Sequence, residues 1–436
     1  MTIIDTNHES KYCPGWQDGA IGGVALFVLV ALFWTTQAWA QAPTAKTTNG
    51  EIIGIQVAGT SPAINAFLGV PFATPPIGDL RFAPPQPHAS WETPLQTTQS
   101  SQPSLQASNG SPLGSEDCLY LNVYTPATRS FVFRPVLVFI PGGGFVEGTG
   151  NSPYYDGQVI AEQSEEIVVT INYRLGALGF LTASSLDAES PHGVSGNYGL
   201  EDQQAALKWI KANAAAFGGN PNNITLFGES AGANSTEYQL ASPLAAGLFQ
   251  HAIVESSIGP PLIPSQTLAQ SEAGGSLGII SQVGCSGASS IPACLRAAPA
   301  DAFLTSGFLT WILPVIDGYL LKQTPLAAFQ SGQFNKVQVI TGNNLNEATN
   351  LIELVFPQVV NPPLTASGYT EILEELFGSN AEAIQAQYPV GDYQSPIQAF
   401  AAVATDSFIA CPTEQKRIAL AEHTTVYGMN SAIRTL

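Results

Sequence analysis

One stretch constrains this chain more than any other: Asn223-Ile-Thr-Leu-Phe-Gly-Glu-Ser-Ala-Gly-Ala-Asn-Ser235. An apolar run suited to a β-strand, residues 224–227, leads into Gly228-Glu229-Ser230-Ala231-Gly232 and then into a helix-compatible run, residues 233–241. Strand, sharp turn, helix is the context that a nucleophile elbow requires. The turn is strained, so the residues two before and two after the serine must be small, and Gly228 and Gly232 meet that need. The Ser230 hydroxyl is then lifted clear of the sheet, and the next backbone N–H, that of Ala231, faces a reacting carbonyl. Gly274-Gly-Ser-Leu-Gly278 repeats the pattern, but Gln270-Ser-Glu-Ala precedes it where an apolar strand is needed. Ser276 therefore lacks the elbow's context.

The surroundings of the elbow predict an α/β fold around a mostly parallel sheet flanked by helices. Pro135-Val-Leu-Val-Phe-Ile140 and Glu166-Ile-Val-Val-Thr-Ile-Asn172 are continuous apolar runs, typical of central strands covered on both faces. Glu201-Asp-Gln-Gln-Ala-Ala-Leu-Lys-Trp-Ile-Lys-Ala-Asn213 carries apolar residues at helical spacing and soon meets Gly218-Gly219. His251-Ala-Ile-Val-Glu-Ser-Ser257 reads as the next strand, and Lys336-Val-Gln-Val-Ile-Thr341 as another. Directly after residue 140 stands Pro141-Gly-Gly-Gly-Phe145. A triple glycine at a strand end lets several N–H groups turn inward around one point, which is how an oxyanion hole is made. The alternative for that segment taken alone is a flexible turn.

Composition narrows the class. With 436 residues, 45% hydrophobic and 11% charged, the chain can bury a large core in one large domain or two. A net charge of −19 repels phosphate backbones, which excludes nucleic acid as a partner. The five cysteines contain no C-x-x-C pair that would suggest a metal site. At the N-terminus, residues 20–34 are apolar or glycine, and Ala38-Trp-Ala40 fits a cleavage site before Gln41. This reads as a secretory signal. Asp5, Glu9 and Asp18 make the preceding segment acidic where a signal has positive charge, so a membrane anchor within residues 20–40 is the alternative, with a buried helix as a third. Residues 1–40 are accordingly assigned to a signal or anchor, and residues 43–436 to the folded domain.

Glu51-Ile-Ile-Gly-Ile-Gln-Val57 and Asn65-Ala-Phe-Leu-Gly-Val70 read as short strands. The turn-rich segment 69–82 reads as a surface loop, and the polar segment 99–115 as a flexible loop with Asn109-Gly-Ser as its glycosylation pattern.

The set Glu116-Asp-Cys-Leu-Tyr-Leu-Asn122, Gly142-Gly-Gly-Phe145, Asn172-Tyr-Arg-Leu-Gly176, Gly196-Asn-Tyr-Gly-Leu-Glu-Asp-Gln203, Phe217-Gly-Gly219 and Phe227-Gly-Glu-Ser-Ala-Gly-Ala233 resembles the type-B carboxylesterase/lipase family. That family includes the cholinesterases and many fungal esterases and lipases, and the match runs in order from about Glu51 to about Tyr427. The resemblance implies an α/β-hydrolase fold and hydrolysis of carboxylic esters by Ser, Glu and His without a cofactor. Residue by residue, it implies Ser230 as nucleophile, Gly143, Gly144 and Ala231 as oxyanion donors, and Glu347, in Gly342-Asn-Asn-Leu-Asn-Glu347, as the triad carboxylate. It implies structural ion pairs Arg81–Glu116 and Arg174–Asp202, a disulfide between Cys285 and Cys294, and a supporting role for Glu229. Ser256 matches a serine that neighbours the site, read as structural, and Asp317 reads as a turn residue. Where the family has a cysteine partner for Cys118 this chain has Ser100 and Ser101, so Cys118 is expected to be free.

The histidine departs from the pattern. Triad order in this fold is Ser, acid, His, and only His423 follows Glu347. His423 precedes a predicted strand, whereas the family's histidine lies in a Gly-x-x-His-x-x-Glu-like loop well after it. No residue here is assigned as general base, and the family's last strand and helix region is expected to be lacking. Two functions follow: a secreted or membrane-anchored hydrolase of small hydrophobic carboxylic esters, or a catalytically dead, non-catalytic binding member of the family.

Overall fold

The computed structural model describes residues 42–128, 130–260, 262–304, 312–360 and 362–431. The segment read above as signal or anchor, residues 1–40, lies outside the described residues. Among the described residues no helix is long and apolar enough to cross a membrane.

Among the described residues nine strands form the central sheet: β1 (Ile55–Val57), β2 (Ile64–Pro71), β3 (Tyr120–Pro126), β4 (Arg134–Ile140), β5 (Ile167–Ile171), β6 (Gly219–Glu229), β7 (His251–Glu255), β8 (Gln338–Asn344) and β9 (Val426–Ser431). Their spatial order is β9-β8-β7-β6-β4-β5-β3-β2-β1. The run from β9 to β5 is parallel throughout, and β3, β2 and β1 each pair antiparallel with the preceding strand. All five residues of β5 are buried, as a strand covered on both faces requires. In β6 the residues leading to the elbow alternate instead, with Ile224, Leu226 and Gly228 facing the core.

The helices that matter for the site are α1 (Gly157–Ser164), α2 (Tyr198–Asn213), α3 (Ala231–Ala241), α4 (Ala348–Val355), α5 (Ala366–Phe377), α6 (Pro396–Thr405) and α7 (Cys411–Ala421). Helix α3 is buried along its whole length, so the elbow is backed by core. A second core of Ile352, Phe356, Tyr369, Leu373, Phe400 and Phe408 lies between α4, α5 and α6. None of the sequence expectations covers this helical cluster. Its signal is present: Tyr369, Ile372, Leu373 and Leu376 recur at the helical period.

Three local expectations need correction. Residues 51–57 form two strands, not one: Gly50–Ile53 pairs in a small separate sheet and β1 joins the large one. The break falls at Gly54, where a Cβ would stand 2.3 Å from the Ala66 carbonyl oxygen. The segment 99–115 is not a structureless loop. It contains a hairpin, Gln106–Ser108 against Ser111–Leu113, turned by Asn109 (φ 49) and Gly110 (φ 76), the Asn-Gly pair that a two-residue turn favours. Of segment 69–82, residues 69–71 end β2 and residues 78–80 form a helical turn, and the rest is no mere surface loop, because Phe72, Ala73, Arg81 and Phe82 are buried.

Two buried arginines stitch loops to this frame. The Arg174 guanidinium donates to both Asp202 oxygens at 2.8 Å, and the Arg174 N–H adds a third bond at 3.0 Å. Arg81 grips Glu116 through Nε (2.7 Å) and Nη2 (2.6 Å). Its Nη1 donates to the carbonyls of Leu295 and Ala298, at the C-terminal end of the helix Ile291–Ala297. That helix carries Cys294, which is bonded to Cys285. Cys118 is buried and unpaired.

Candidate active site

The geometry at Ser230 follows from the end of β6 and the start of α3. Ser230 has φ 56 and ψ −123, a conformation that costs a non-glycine residue energy and survives only where its surroundings enforce it. They do so on both sides. The Ser230 N–H donates to the Glu255 carbonyl at 3.0 Å, and the Ser230 carbonyl accepts from the Asn234 N–H at 2.9 Å. A Cβ on Gly232 would stand 2.1 Å from the Ile140 oxygen, and one on Gly228 would stand 2.4 Å from the Gly232 carbonyl carbon. Both positions therefore demand glycine. Ser276, in the competing Gly-x-Ser-x-Gly, is buried within a helical segment and accepts from the Thr182 N–H at 3.0 Å.

The triple glycine lies against this turn. A Cβ on Gly142 would be 3.2 Å from the Ser230 Cβ and 2.7 Å from the Glu229 carbonyl oxygen. Gly143 (φ 108), Gly144 (φ 61) and Phe145 (φ 64) then coil the chain through three successive positive-φ conformations. Anchors hold the coil. Tyr173 Oη donates to the Pro141 carbonyl at 3.1 Å, and the Gly176 N–H donates to the Phe145 carbonyl at 2.7 Å. The hairpin's Gln106 clamps Gly148 from both sides, its Oε1 accepting at 2.9 Å and its Nε2 donating at 3.0 Å. Phe145 is fully buried, edge-on to Phe180 at 5.4 Å. Among the described residues, no hydrogen bond joins the N–H of Gly143, Gly144 or Ala231 to a protein acceptor.

Glu347 stands beyond the C-terminal end of β8, at the head of α4. Its Oε1 accepts from the Asn344 N–H at 2.6 Å and from the Ser256 hydroxyl. Ser256 is itself held in a positive-φ conformation (φ 58), its N–H donating to the Gly342 carbonyl at 2.8 Å. The sequence marks Ser256 only as a structural neighbour of the site, and no local pattern reveals that its hydroxyl grips Glu347. Three carboxyls share this end of the sheet. Burial, then the negative charges of Glu347 and Glu255, push Glu229 up to about 7. Burial also raises Glu255.

No imidazole among the described residues joins them. His423 lies just before β9, at the opposite end of the sheet from Glu347. Its ring faces Gly332 and packs 6.0 Å from the Phe334 ring. At about 3.3 Å per residue, the seven residues of β8 separate the two ends by roughly 20 Å. His251 opens β7 at that same far end, paired with Gln338. His88 and His192 line a different cavity.

A nine-stranded, mostly parallel sheet with a serine on a strained strand-to-helix turn defines the α/β-hydrolase class. Within it, the chain belongs to the Carboxylesterase family, whose model matches residues 41–432. It is 38% identical over 341 residues to a fumonisin B1 esterase of Sphingopyxis macrogoltabida, covering 76% of this chain and 61% of that protein. It is 37% identical over 364 residues to the pyrethroid hydrolase Ces2e of Rattus norvegicus, covering 79% and 61%. It is 36% identical over 367 residues to the crystal protein of Dictyostelium discoideum, covering 79% and 64%. The chain thus spans about three-fifths of the length of the curated relatives it matches.

Proposed function

We propose that this chain carries the nucleophile, oxyanion donors and acid of a carboxylic ester hydrolase that acts by acyl transfer. The Ser230 Oγ attacks the ester carbonyl carbon, and the oxygen gains negative charge. The N–H groups of Gly143, Gly144 and Ala231 receive that charge. The alcohol leaves with a proton supplied by an imidazolium, and water, deprotonated by the same imidazole, then releases the acid. Glu347, held by Ser256 and the Asn344 N–H, orients the imidazole and stabilises its charged form. The observation that carries this reading is Gly142 seated against Ser230, which brings the glycine coil and the elbow to one point. One relative is named a fumonisin B1 esterase and another a pyrethroid hydrolase, which supports an ester substrate. The Cys285–Cys294 bond supports an oxidising compartment, in keeping with residues 1–40 as a signal or anchor.

The base in this proposal is a histidine other than His88, His192, His251 and His423. The test compares two proteins on 4-nitrophenyl butyrate: the 436-residue chain, and a longer form carrying a Gly-x-x-His-x-x-Glu segment after it. The shorter chain should release nitrophenol no faster than its own Ser230→Ala variant, and the longer form should exceed its Ser230→Ala variant by roughly 10⁴-fold or more. A longer form that forms no adduct at Ser230 with a fluorophosphonate ends the assignment. That no imidazole among the described residues lies beside Glu347 favours one second reading, a non-catalytic binding member. Turnover by the longer form excludes it.

A further inference from the structure

A cavity of about 470 Å³ lies apart from Ser230, between the segment 84–88, helix α2 and Tyr319, and no residue of the proposed catalytic set lines it. Two of its features point to a ligand. The first is aromatic. His192 stacks face to face on Tyr319 with ring centres 3.9 Å apart and planes 15° apart, and Trp209, tethered through its indole N–H to Asn49, adds a third ring. The second is Glu201. It lines the cavity from the first turn of α2, and among the described residues its carboxylate takes part in no hydrogen bond or ion pair. Arg174 makes no hydrogen bond to it: three of its guanidinium N–H groups go to Asp202 and the Ala83 carbonyl, and its charge reaches Glu201 only through space. Lys208 lines the same cavity but is exposed and stays hydrated.

A carboxylate that makes no hydrogen bond, in a cavity lined by aromatic rings, is what an organic ammonium binds: the charge takes the counter-ion and the apolar body takes the rings. The net charge of −19 further concentrates cations at the surface. We propose that this cavity is a second ligand site, for small arylalkyl amines in their ammonium form, with Glu201 as the anionic anchor and Tyr319 as the aromatic wall.

Glu201 faces Arg174, Asp202, Asp317 and Lys208, while His88 and His192 line the cavity opposite it. Burial raises its carboxyl to about 7, Arg174 and Lys208 opposing the rise and Asp202 and Asp317 adding to it. An ammonium binds the ionised form only. Affinity must therefore fall as pH drops through 7, by about tenfold between pH 8 and pH 6.

The test is calorimetric titration of the full chain with phenethylammonium, and with 2-phenylethanol as its neutral counterpart. The expected result is saturable one-site binding, at least tenfold tighter for the ammonium at pH 8, with the tenfold loss at pH 6. Glu201→Gln should remove that preference while leaving phenylethanol binding unchanged, and Tyr319→Leu should weaken both ligands. Reaction of Ser230 with a fluorophosphonate should leave the ammonium affinity as it was. Equal affinity in Glu201→Gln, affinity independent of pH, or no saturable binding up to about 10 mM overturns the proposal. So does loss of binding on modification of Ser230, which would place the ligand at the elbow.

Discussion

At the scale of single residues, the site depends on atoms that are not there. Gly142, Gly228 and Gly232 each leave space that a methyl group would fill against backbone, where nothing flexible can move aside. Gly232→Ala sets a Cβ 2.1 Å from the Ile140 oxygen and must push the elbow away from β4. The expected cost is about 2 kcal/mol or more, read as a lower urea midpoint with an unchanged slope. The acid is equally specific. In a form that turns over esters, Glu347→Gln should leave the fold intact and lower kcat by roughly 10⁴-fold, because an amide does not stabilise the imidazolium. Ser256→Ala removes one of the two donors to Glu347 Oε1, so its effect should appear in kcat with little change in KM.

At the scale of elements, the loops that build the site are tied down by buried charge. Arg174 and Asp202 are both buried, and a single neutralisation leaves the other ion stranded. Asp202→Ala should cost about 3–5 kcal/mol, measured by chemical denaturation, whereas removing both charges together with apolar replacements should cost far less. Arg81 joins Glu116 to the helix that bears Cys294, so the disulfide loop and the loop before β3 brace each other. Replacing both cysteines by serine should lower stability by about 2–3 kcal/mol, as expected for a bridge spanning nine positions. These ties were legible as residue pairs through the family resemblance. The partners that complete them were not: the carbonyls of Leu295 and Ala298 have no side-chain signature, and they meet Arg81 only through the packing of a helix more than two hundred residues away.

At the scale of the whole molecule, the protein carries more acid than its fold comfortably ionises. Glu229 and Glu201 both have folded-state carboxyls raised to about 7 from an ordinary 4.5. For such groups the folded state binds protons more tightly than the unfolded chain. Their contribution to stability is fully present below about 4.5 and is lost as pH rises through 7. The overall charge of −19 acts in the same direction. The urea midpoint should therefore decline from pH 5.5 to pH 8, more steeply in the parent chain than in a Glu201→Gln, Glu229→Gln double variant.

What the sequence by itself determined was local: a strand that must stop at Gly228, a turn that only glycine permits, a coil of three glycines, and the alternation of strands and helices that makes the sheet parallel. Each of these rests on backbone sterics or periodicity, which act over a few residues. Tertiary structure decided the rest. Packing alone brings Gly142 onto Ser230, swings Ser256 under Glu347, closes the Gln106 hairpin on Gly148, and gathers side chains between Ala348 and Ile409 into a second core. It also sends His423 to the far edge of the sheet, since a residue just before a parallel strand cannot reach the end where its neighbours finish.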